Sequence, residues 1–132
     1  MNQVQHIAFR CADRNRQEAF YTKHFGFKRV RVFDRGKPGE FIMIRLGSTC
    51  IELFPAGGED KKKRGCEQPV GFTHLAFEVP DIKAAVKKIE ADGIKTEGVV
   101  DCSAASPGLS VCFFQDPDGN RIELMQGWTD EK

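Results

Sequence analysis

The stretches HIAFRCAD, residues 6–13, and HLAFEVPD, residues 74–81, decide the fold of this chain. They lie 68 residues apart and share His, Ala, Phe and Asp at matching positions. Each stretch begins as a strand pattern, and a helical pattern then follows and ends at a glycine, Gly26 or Gly93. This self-similarity indicates that one unit of about 65 residues is written twice in the chain.

Each copy has the same predicted order of elements, β-α-β-β-β. In the first copy, a helix capped by Asp13 follows the first of four strands, which are predicted at about residues 4–11, 27–35, 40–46 and 49–54. In the second copy, a helix capped by Asp81 follows the first of four strands at about 72–79, 95–100, 109–115 and 121–126. We therefore predict an α+β fold built from two paired modules.

The domain organisation follows from this repeat. The whole chain, residues 1–132, is predicted to be a single domain, with a first module at 4–54 and a second module at 71–128. The segment between them, residues 55–70, contains GGEDKKKRG and is interpreted as a charged, flexible linker.

Composition and charge exclude several classes of function. Twenty Lys and Arg against nineteen Asp and Glu leave a formal net charge of +1, so we expect no nucleic-acid partner and no attraction to anionic membranes. No apolar run is long enough to span a bilayer, and the N-terminus does not have the pattern of a signal peptide. Five cysteines without a CxxC pair favour reduced thiols and a cytoplasmic location.

The alternation of side chains places one histidine and one glutamate of each copy on the same face of its sheet. Apolar residues of each first strand face the helix, so His6 and His74 point to the opposite side. The strings CIELF and RIELM lie 71 residues apart, and their central residues, Glu52 and Glu123, also point away from the helix. If the two units pair, this face becomes the inside of a curved cleft, and the alanine beside each histidine leaves room for a ligand.

Two neutral imidazoles and two carboxylates on neighbouring strands suit one divalent cation. A solitary histidine or glutamate in a strand is ordinary, but packing gives no reason to keep both at matching places in two copies. We therefore predict a metal site rather than a set of solvated side chains. Four protein ligands leave two positions of an octahedral ion for water or substrate, which is the arrangement that Lewis-acid catalysis needs. A carboxylate beside the ion can carry a proton taken from a carbon next to a carbonyl.

These motifs resemble the vicinal oxygen chelate superfamily, which includes glyoxalase I, methylmalonyl-CoA epimerase, extradiol dioxygenases, and the fosfomycin and bleomycin resistance proteins. The resemblance runs from His6 to Gln126 and is carried by HIAFR, FYTKHFGF, FTHLAFEVPDI and FFQDPDGNRIELMQ. It implies a glyoxalase-like fold, in which two βαβββ modules form a U-shaped, metal-binding cleft. It also implies a small-molecule substrate and a homodimer.

Within this superfamily the chain is closest in pattern to glyoxalase I, a lactoylglutathione lyase whose four metal ligands match His6, Glu52, His74 and Glu123. The resemblance implies a metal-dependent isomerising lyase that moves a proton between adjacent carbons of a hemithioacetal or α-hydroxycarbonyl. Glu123 would abstract and return the proton, with Glu52 as a ligand or a second base. Arg10 matches the arginine that holds a carboxylate of glutathione, so a glutathione or other thiol adduct is expected. The expected ion is Ni or Zn, with Co, Mn or Fe as alternatives.

Other activities of the superfamily remain open. An extradiol-type dioxygenase would hold Fe(II) with only His6, His74 and Glu123, whereas methylmalonyl-CoA epimerase has a Gln-type ligand in the place of Glu52. A non-catalytic drug- or metabolite-binding resistance protein is a further alternative. Ala56 stands where glyoxalase I usually has an asparagine that contacts glutathione, so another thiol or a CoA thioester is also open.

The eleven phenylalanines are interpreted first as core residues. Phe41, Phe54 and Phe113 are also candidates for an apolar wall of the cleft, while Tyr21 and Trp128 receive no role from the sequence.

Overall fold

The structure is a computed structural model that describes residues 3–56, 72 and 74–131. The chain divides between residues 64 and 65 into two compact units. The predicted linker, residues 55–70, lies outside the described residues except for Pro55, which ends a strand, and Ala56, which is buried. None of the described helices is long and apolar enough to cross a membrane.

The first unit is a four-stranded sheet with one helix against it. Its elements in chain order are β1 (His6–Cys11), α1 (Arg14–Phe25), β2 (Lys28–Phe33), β3 (Phe41–Leu46) and β4 (Thr49–Pro55). The strand order in space is β1-β4-β3-β2, with β1 parallel to β4 and the other pairs antiparallel. The first and last strands of the unit are therefore neighbours, and this places residues that are far apart in the sequence side by side.

The ends of α1 lie where the sequence predicts them. The carboxylate of Asp13 accepts a hydrogen bond from the backbone N–H of Arg16 at 3.1 Å and caps the first turn. The helix ends at Gly26, whose φ of 79° lies in the left-handed region that glycine adopts without steric cost. Between these ends, α1 packs on β3 and β4. Tyr21, which received no role from the sequence, is fully buried in this interface and contacts the ring of Phe9 at 6.1 Å between centroids.

The second unit repeats this architecture. Its elements are β5 (Leu75–Glu78), α2 (Ile82–Ala91), β6 (Val100–Asp101), β7 (Ser110–Gln115) and β8 (Arg121–Gln126). The strand order β5-β8-β7-β6 is that of the first sheet, and β5 is again parallel to β8. Asp81 caps α2, and the apolar stripe of this helix is buried at Ile82, Val86 and Ile89. The α+β fold of two βαβββ modules is therefore confirmed.

Some predicted strands are shorter in the structure. The first strands of the two units begin at His6 and Leu75, a few residues later than predicted. The predicted strand at 95–100 is wrong, because β6 comprises only Val100 and Asp101 and is preceded by a single bridge from Thr96 to Phe114. Gly98 has a φ of 83° at this point. That conformation turns the backbone out of the extended region, so regular pairing stops and resumes two residues later.

Candidate metal centre

Within each unit, the strand register places the candidate functional residues at equivalent positions. In the first unit, Glu52 on β4 is the Cα partner of Ala8 on β1, and in the second unit Glu123 on β8 is the partner of Ala76 on β5. Each alanine lies two residues after a histidine, so the histidine and the glutamate share the face of the sheet opposite the helix. We call this the helix-free face of each unit. The internal repeat therefore extends to the pairing of individual residues.

On each helix-free face, the histidine meets the glutamate. His6 Nε2 lies 3.0 Å from Glu52 Oε1, and His74 Nε2 lies 2.9 Å from Glu123 Oε2. The glutamate side chains are 11% and 14% exposed, whereas those of the histidines are 45% and 34% exposed. Because each carboxylate is the more buried member of its pair, its interactions are less screened by water than those of a surface carboxylate.

A glutamine orients the imidazole of the first unit. His6 Nδ1 lies 2.5 Å from Gln5 Oε1, an acceptor, so Nδ1 carries the proton of this hydrogen bond. Gln5 Nε2 in turn donates to the sulfur of Cys50 at 3.7 Å. In the neutral imidazole, Nε2 then presents a lone pair to a carboxylate oxygen of Glu52, and two electron-pair donors at this distance need a proton or a cation to hold them together. A metal-binding histidine typically has such an acceptor on its other nitrogen.

In the second unit, an aromatic side chain packs against the histidine. Phe113 is the Cα partner of Glu123, and its ring contacts that of His74 edge to face, with centroids 5.3 Å apart and an angle of 88°. The guanidinium of Arg121 lies 4.0 Å from the centroid of the same ring and pairs with Glu97 at 3.1 Å. Phe113 therefore lies on the face where the sequence placed it as a candidate cleft residue.

Sequence reasoning missed Gln5, and it did not connect Phe113 with His74. Gln5 immediately precedes His6, and strict alternation would send its side chain to the other face of a strand. It is free to turn back because β1 begins only at His6. Because the sequence predicted a strand over residues 4–11, it gave no signal that Gln5 lies outside the regular strand.

The donor pairs fit a divalent cation. Metal bonds to imidazole nitrogen and carboxylate oxygen are about 2.1 Å long, so two adjacent ligands of an octahedral ion are about 3.0 Å apart, against about 3.4 Å for a tetrahedral ion. The observed separations of 3.0 and 2.9 Å are those of a direct hydrogen bond between the two groups, and they are also short enough for both donors of a pair to contact one ion. Each unit supplies one pair, and among the described residues no group of three or more His, Cys, Asp or Glu side chains lies together.

The predicted substrate-binding residue, Arg10, lies on the same face as the first donor pair. It is exposed on β1, four residues after His6, and is the Cα partner of Phe54 on β4. The described part of the chain gives its guanidinium no carboxylate partner. An unpaired exposed guanidinium beside the donor pair is suited to hold a carboxylate of a ligand.

Comparisons with known proteins agree with this architecture. Residues 3–124 match the family described as the glyoxalase/bleomycin resistance protein/dioxygenase superfamily. The chain is 33% identical to a probable lactoylglutathione lyase of Synechocystis sp., over 92% of this chain and 92% of that protein. It is also 33% identical to the uncharacterized protein YaeR of Escherichia coli, over 96% and 97% of the two chains.

A solved structure supports the same assignment. The crystal structure of a glyoxalase family protein from Enterococcus faecalis superposes with a TM-score of 0.77 at 29% identity and covers 93% of this chain and 96% of its own. The resemblance found in the sequence motifs is therefore confirmed, and the chain belongs to the glyoxalase/bleomycin resistance protein/dioxygenase superfamily.

Proposed function

We propose that this protein is a metal-dependent lyase or isomerase of the glyoxalase I type, which moves a proton between adjacent carbons of a hemithioacetal or α-hydroxycarbonyl substrate. One observation carries the proposal: both units bring a histidine and a glutamate within 3.0 Å of each other, with the glutamate opposite an alanine. The two units thus offer four donors. An enzyme that uses a triad of two histidines and one glutamate has no need of a carboxylate at Glu52.

The proposed ligands of one divalent ion are His6, Glu52, His74 and Glu123, contributed by the two units of one chain or by two copies in a homodimer. Ni and Zn are the proposed ions, with Co, Mn and Fe as alternatives. When bound, the ion supplies Lewis acidity, which stabilises negative charge on the substrate oxygens and makes the neighbouring C–H bond more acidic.

The proton transfer itself falls to the glutamates. In a hemithioacetal, Glu123 takes the proton from the carbon that bears sulfur, and the electron pair of that C–H bond moves toward the adjacent carbonyl. Glu123 then returns this proton to the neighbouring carbon, and the hydroxyl proton of the sulfur-bearing carbon passes to the former carbonyl oxygen. The sulfur-bearing carbon thereby becomes the carbonyl of an α-hydroxy thioester, and no redox cofactor is consumed. Ala8 and Ala76, the strand partners of the two glutamates, place only a methyl group beside each carboxylate. Arg10 would hold a carboxylate of the substrate, which we propose to be an adduct of glutathione or another thiol.

We also propose a cytoplasmic location for the protein, because adducts of glutathione or a similar thiol form where intracellular thiols are present. The four cysteines that the structure describes, Cys11, Cys50, Cys102 and Cys112, are free thiols.

Metal analysis combined with solvent deuterium exchange tests the proposed function. Purified protein should contain close to one equivalent of a divalent metal per site and should incorporate deuterium into a hemithioacetal or an α-hydroxyacyl thioester during turnover. Glu123→Gln should abolish exchange, and Glu52→Gln should weaken it strongly. Glu90→Gln on the exposed surface of α2 is the matched control and should behave as the wild type.

The same variants identify the alternatives. Bound iron, oxygen consumption, and activity that survives Glu52→Gln would establish a dioxygenase that uses His6, His74 and Glu123. Exchange on a CoA thioester that survives Glu52→Gln would establish an epimerase-like enzyme. Tight ligand binding without turnover on any substrate would establish a binding protein of the drug-resistance type.

A further inference from the structure

The two helix-free faces differ in the row of side chains next to the donor pair. In the first unit, Arg10 is the Cα partner of Phe54, and Phe33 is the partner of Phe41 in the adjoining strands. These four residues cross the sheet from β1 to β2, two positions along the strands from Glu52. We call the three phenylalanines the aromatic row.

The rings of the aromatic row stack on one another. The centroids of Phe41 and Phe54 are 4.1 Å apart with an angle of 19°, and those of Phe33 and Phe41 are 4.5 Å apart with an angle of 6°. All three side chains are half-buried. Because neighbouring rings cover both faces of Phe41, the accessible part of that ring is its edge. The edge of an aromatic ring carries partial positive charge and attracts the π-face of another ring.

Arginine side chains lie beside the aromatic row. Arg31 is exposed, and its guanidinium lies 5.5 Å from the centroid of the Phe33 ring. Its Cα partner is Met43, which is itself the partner of Glu52, so Arg31 also lies on the helix-free face. Like Arg10, it has no carboxylate partner among the residues that the structure describes. The row is therefore an apolar strip with unneutralised positive charge beside it.

The described residues of the second unit form no such strip. The corresponding row begins with Glu78, the Cα partner of Met125, and continues with Val111 and Val100. The arginine is replaced by an acid, and the phenylalanines are replaced by a methionine and two valines. The duplicated architecture thus retains the donor pair without this row, and the helix does not pack on the face where the row lies. Neither the fold nor the donor pair accounts for the aromatic row.

We propose that the aromatic row, with Arg31, is a subsite for an aromatic carboxylate carried by the substrate. The inference rests on the proposed function, because it assigns the substituent of the molecule that reacts beside Glu52. Two residues along a strand span about 7 Å, which places the subsite next to the reacting carbons. The π-face of the substituent lies on the ring edges, and its carboxylate meets a guanidinium. Stacking of the phenylalanines solely to stabilise the sheet is the competing explanation.

Three probes separate the contributions of ring and charge. These are 2-naphthoate, its saturated analogue decahydro-2-naphthoate, and the uncharged 2-naphthalenemethanol, each titrated calorimetrically into the protein as purified and after removal of metal with a chelator. We expect 2-naphthoate to bind about three- to tenfold more tightly than the saturated acid and about tenfold more tightly than the alcohol. Equal affinities for the naphthoate and the saturated acid would overturn the proposal. Binding that disappears with the metal would also overturn it, because the carboxylate would then be binding the ion.

Two variants test whether the affinity for 2-naphthoate depends on the aromatic row and on Arg31. Phe41→Leu should weaken 2-naphthoate to the level of the saturated acid, while Arg31→Gln should weaken both acids about tenfold and leave the alcohol unchanged. Arg31 is exposed, so this variant remains informative even if Phe41→Leu does not fold. Met125→Leu, in the corresponding row of the second unit, is the matched control and should bind as the wild type. Unchanged binding of 2-naphthoate by folded Phe41→Leu or by Arg31→Gln would refute the subsite.

These titrations need no turnover, so failure of the subsite and failure of the proposed function are distinguishable. Glu123→Gln should lose proton exchange and still bind 2-naphthoate. If the wild type binds the probe as described but exchanges no proton, the proposed activity fails and the subsite stands. If it exchanges protons without preferring the aromatic acid, the activity stands and the subsite fails.

Discussion

Replacing Gln5 by leucine should weaken metal binding without unfolding the protein. Gln5 is not itself a proposed ligand, but its Oε1 lies 2.5 Å from His6 Nδ1 and fixes both the ring orientation and the tautomer of the imidazole. Leucine has a similar size and no acceptor. In the variant, the His6 ring is free to rotate, and Nε2 no longer faces Glu52 in a single arrangement. The free energy of metal binding must then include the cost of ordering the ring.

The exposure of the His6 side chain determines how much metal affinity the variant should lose. Loss of an acceptor that orients a metal-binding histidine typically costs 10- to 100-fold in affinity. The His6 side chain is 45% exposed, so water can replace Gln5 as the acceptor for Nδ1–H, and the lower limit applies. We expect about a tenfold loss, or about 1.4 kcal/mol of binding free energy. The free energy of unfolding should change by less than about 0.5 kcal/mol, because Gln5 is exposed.

Competition with a chromophoric chelator measures the metal affinity, and urea unfolding of the metal-free protein measures stability. Gln3→Leu, at another exposed glutamine two residues away, is the matched control and should leave the affinity unchanged. Gln5→Glu keeps an acceptor for Nδ1–H and should retain tight binding. Wild-type affinity in Gln5→Leu, combined with loss of binding in His6→Ala, would refute the role of Gln5 in orienting the imidazole.

Two further substitutions probe space on the helix-free face and on the backbone. Ala8→Leu should abolish proton exchange, because a larger side chain would cover the strand partner Glu52. The free energy of unfolding should change by less than about 0.5 kcal/mol, because Ala8 is exposed. Turnover and urea unfolding measure the two effects, and wild-type turnover in the folded variant would contradict the prediction. Gly127→Ala should lower the melting temperature more than Gly93→Ala. Both glycines have φ values above 80°, which costs alanine about 1–2 kcal/mol, but only at Gly127 would the added Cβ overlap the carbonyl oxygen of Gly108. Equal melting temperatures would contradict this close backbone approach.

The sequence predicted the βαβββ order and the two donor pairs because both are written twice. An apolar stripe such as that of α2 predicts its own burial, and Asp81 predicts where the helix begins. The segment around Gly98 was predicted as a strand although its only apolar residues, Val99 and Val100, are adjacent and do not alternate. Periodicity does not report a positive φ, and a glycine inside an apparent strand was the available warning.

The residues that hold the two histidines in place escape prediction for a different physical reason. Repetition reveals a residue only when both copies retain it, as they retain the histidine and the glutamate. Each unit holds its imidazole in its own way: Gln5 accepts a hydrogen bond from one ring, and Phe113 packs edge to face against the other. Several arrangements can fix an imidazole, whereas few side chains can donate an electron pair to a cation. The proposed ligands can therefore be identified from the repeat, but the contacts that orient the two histidines require coordinates.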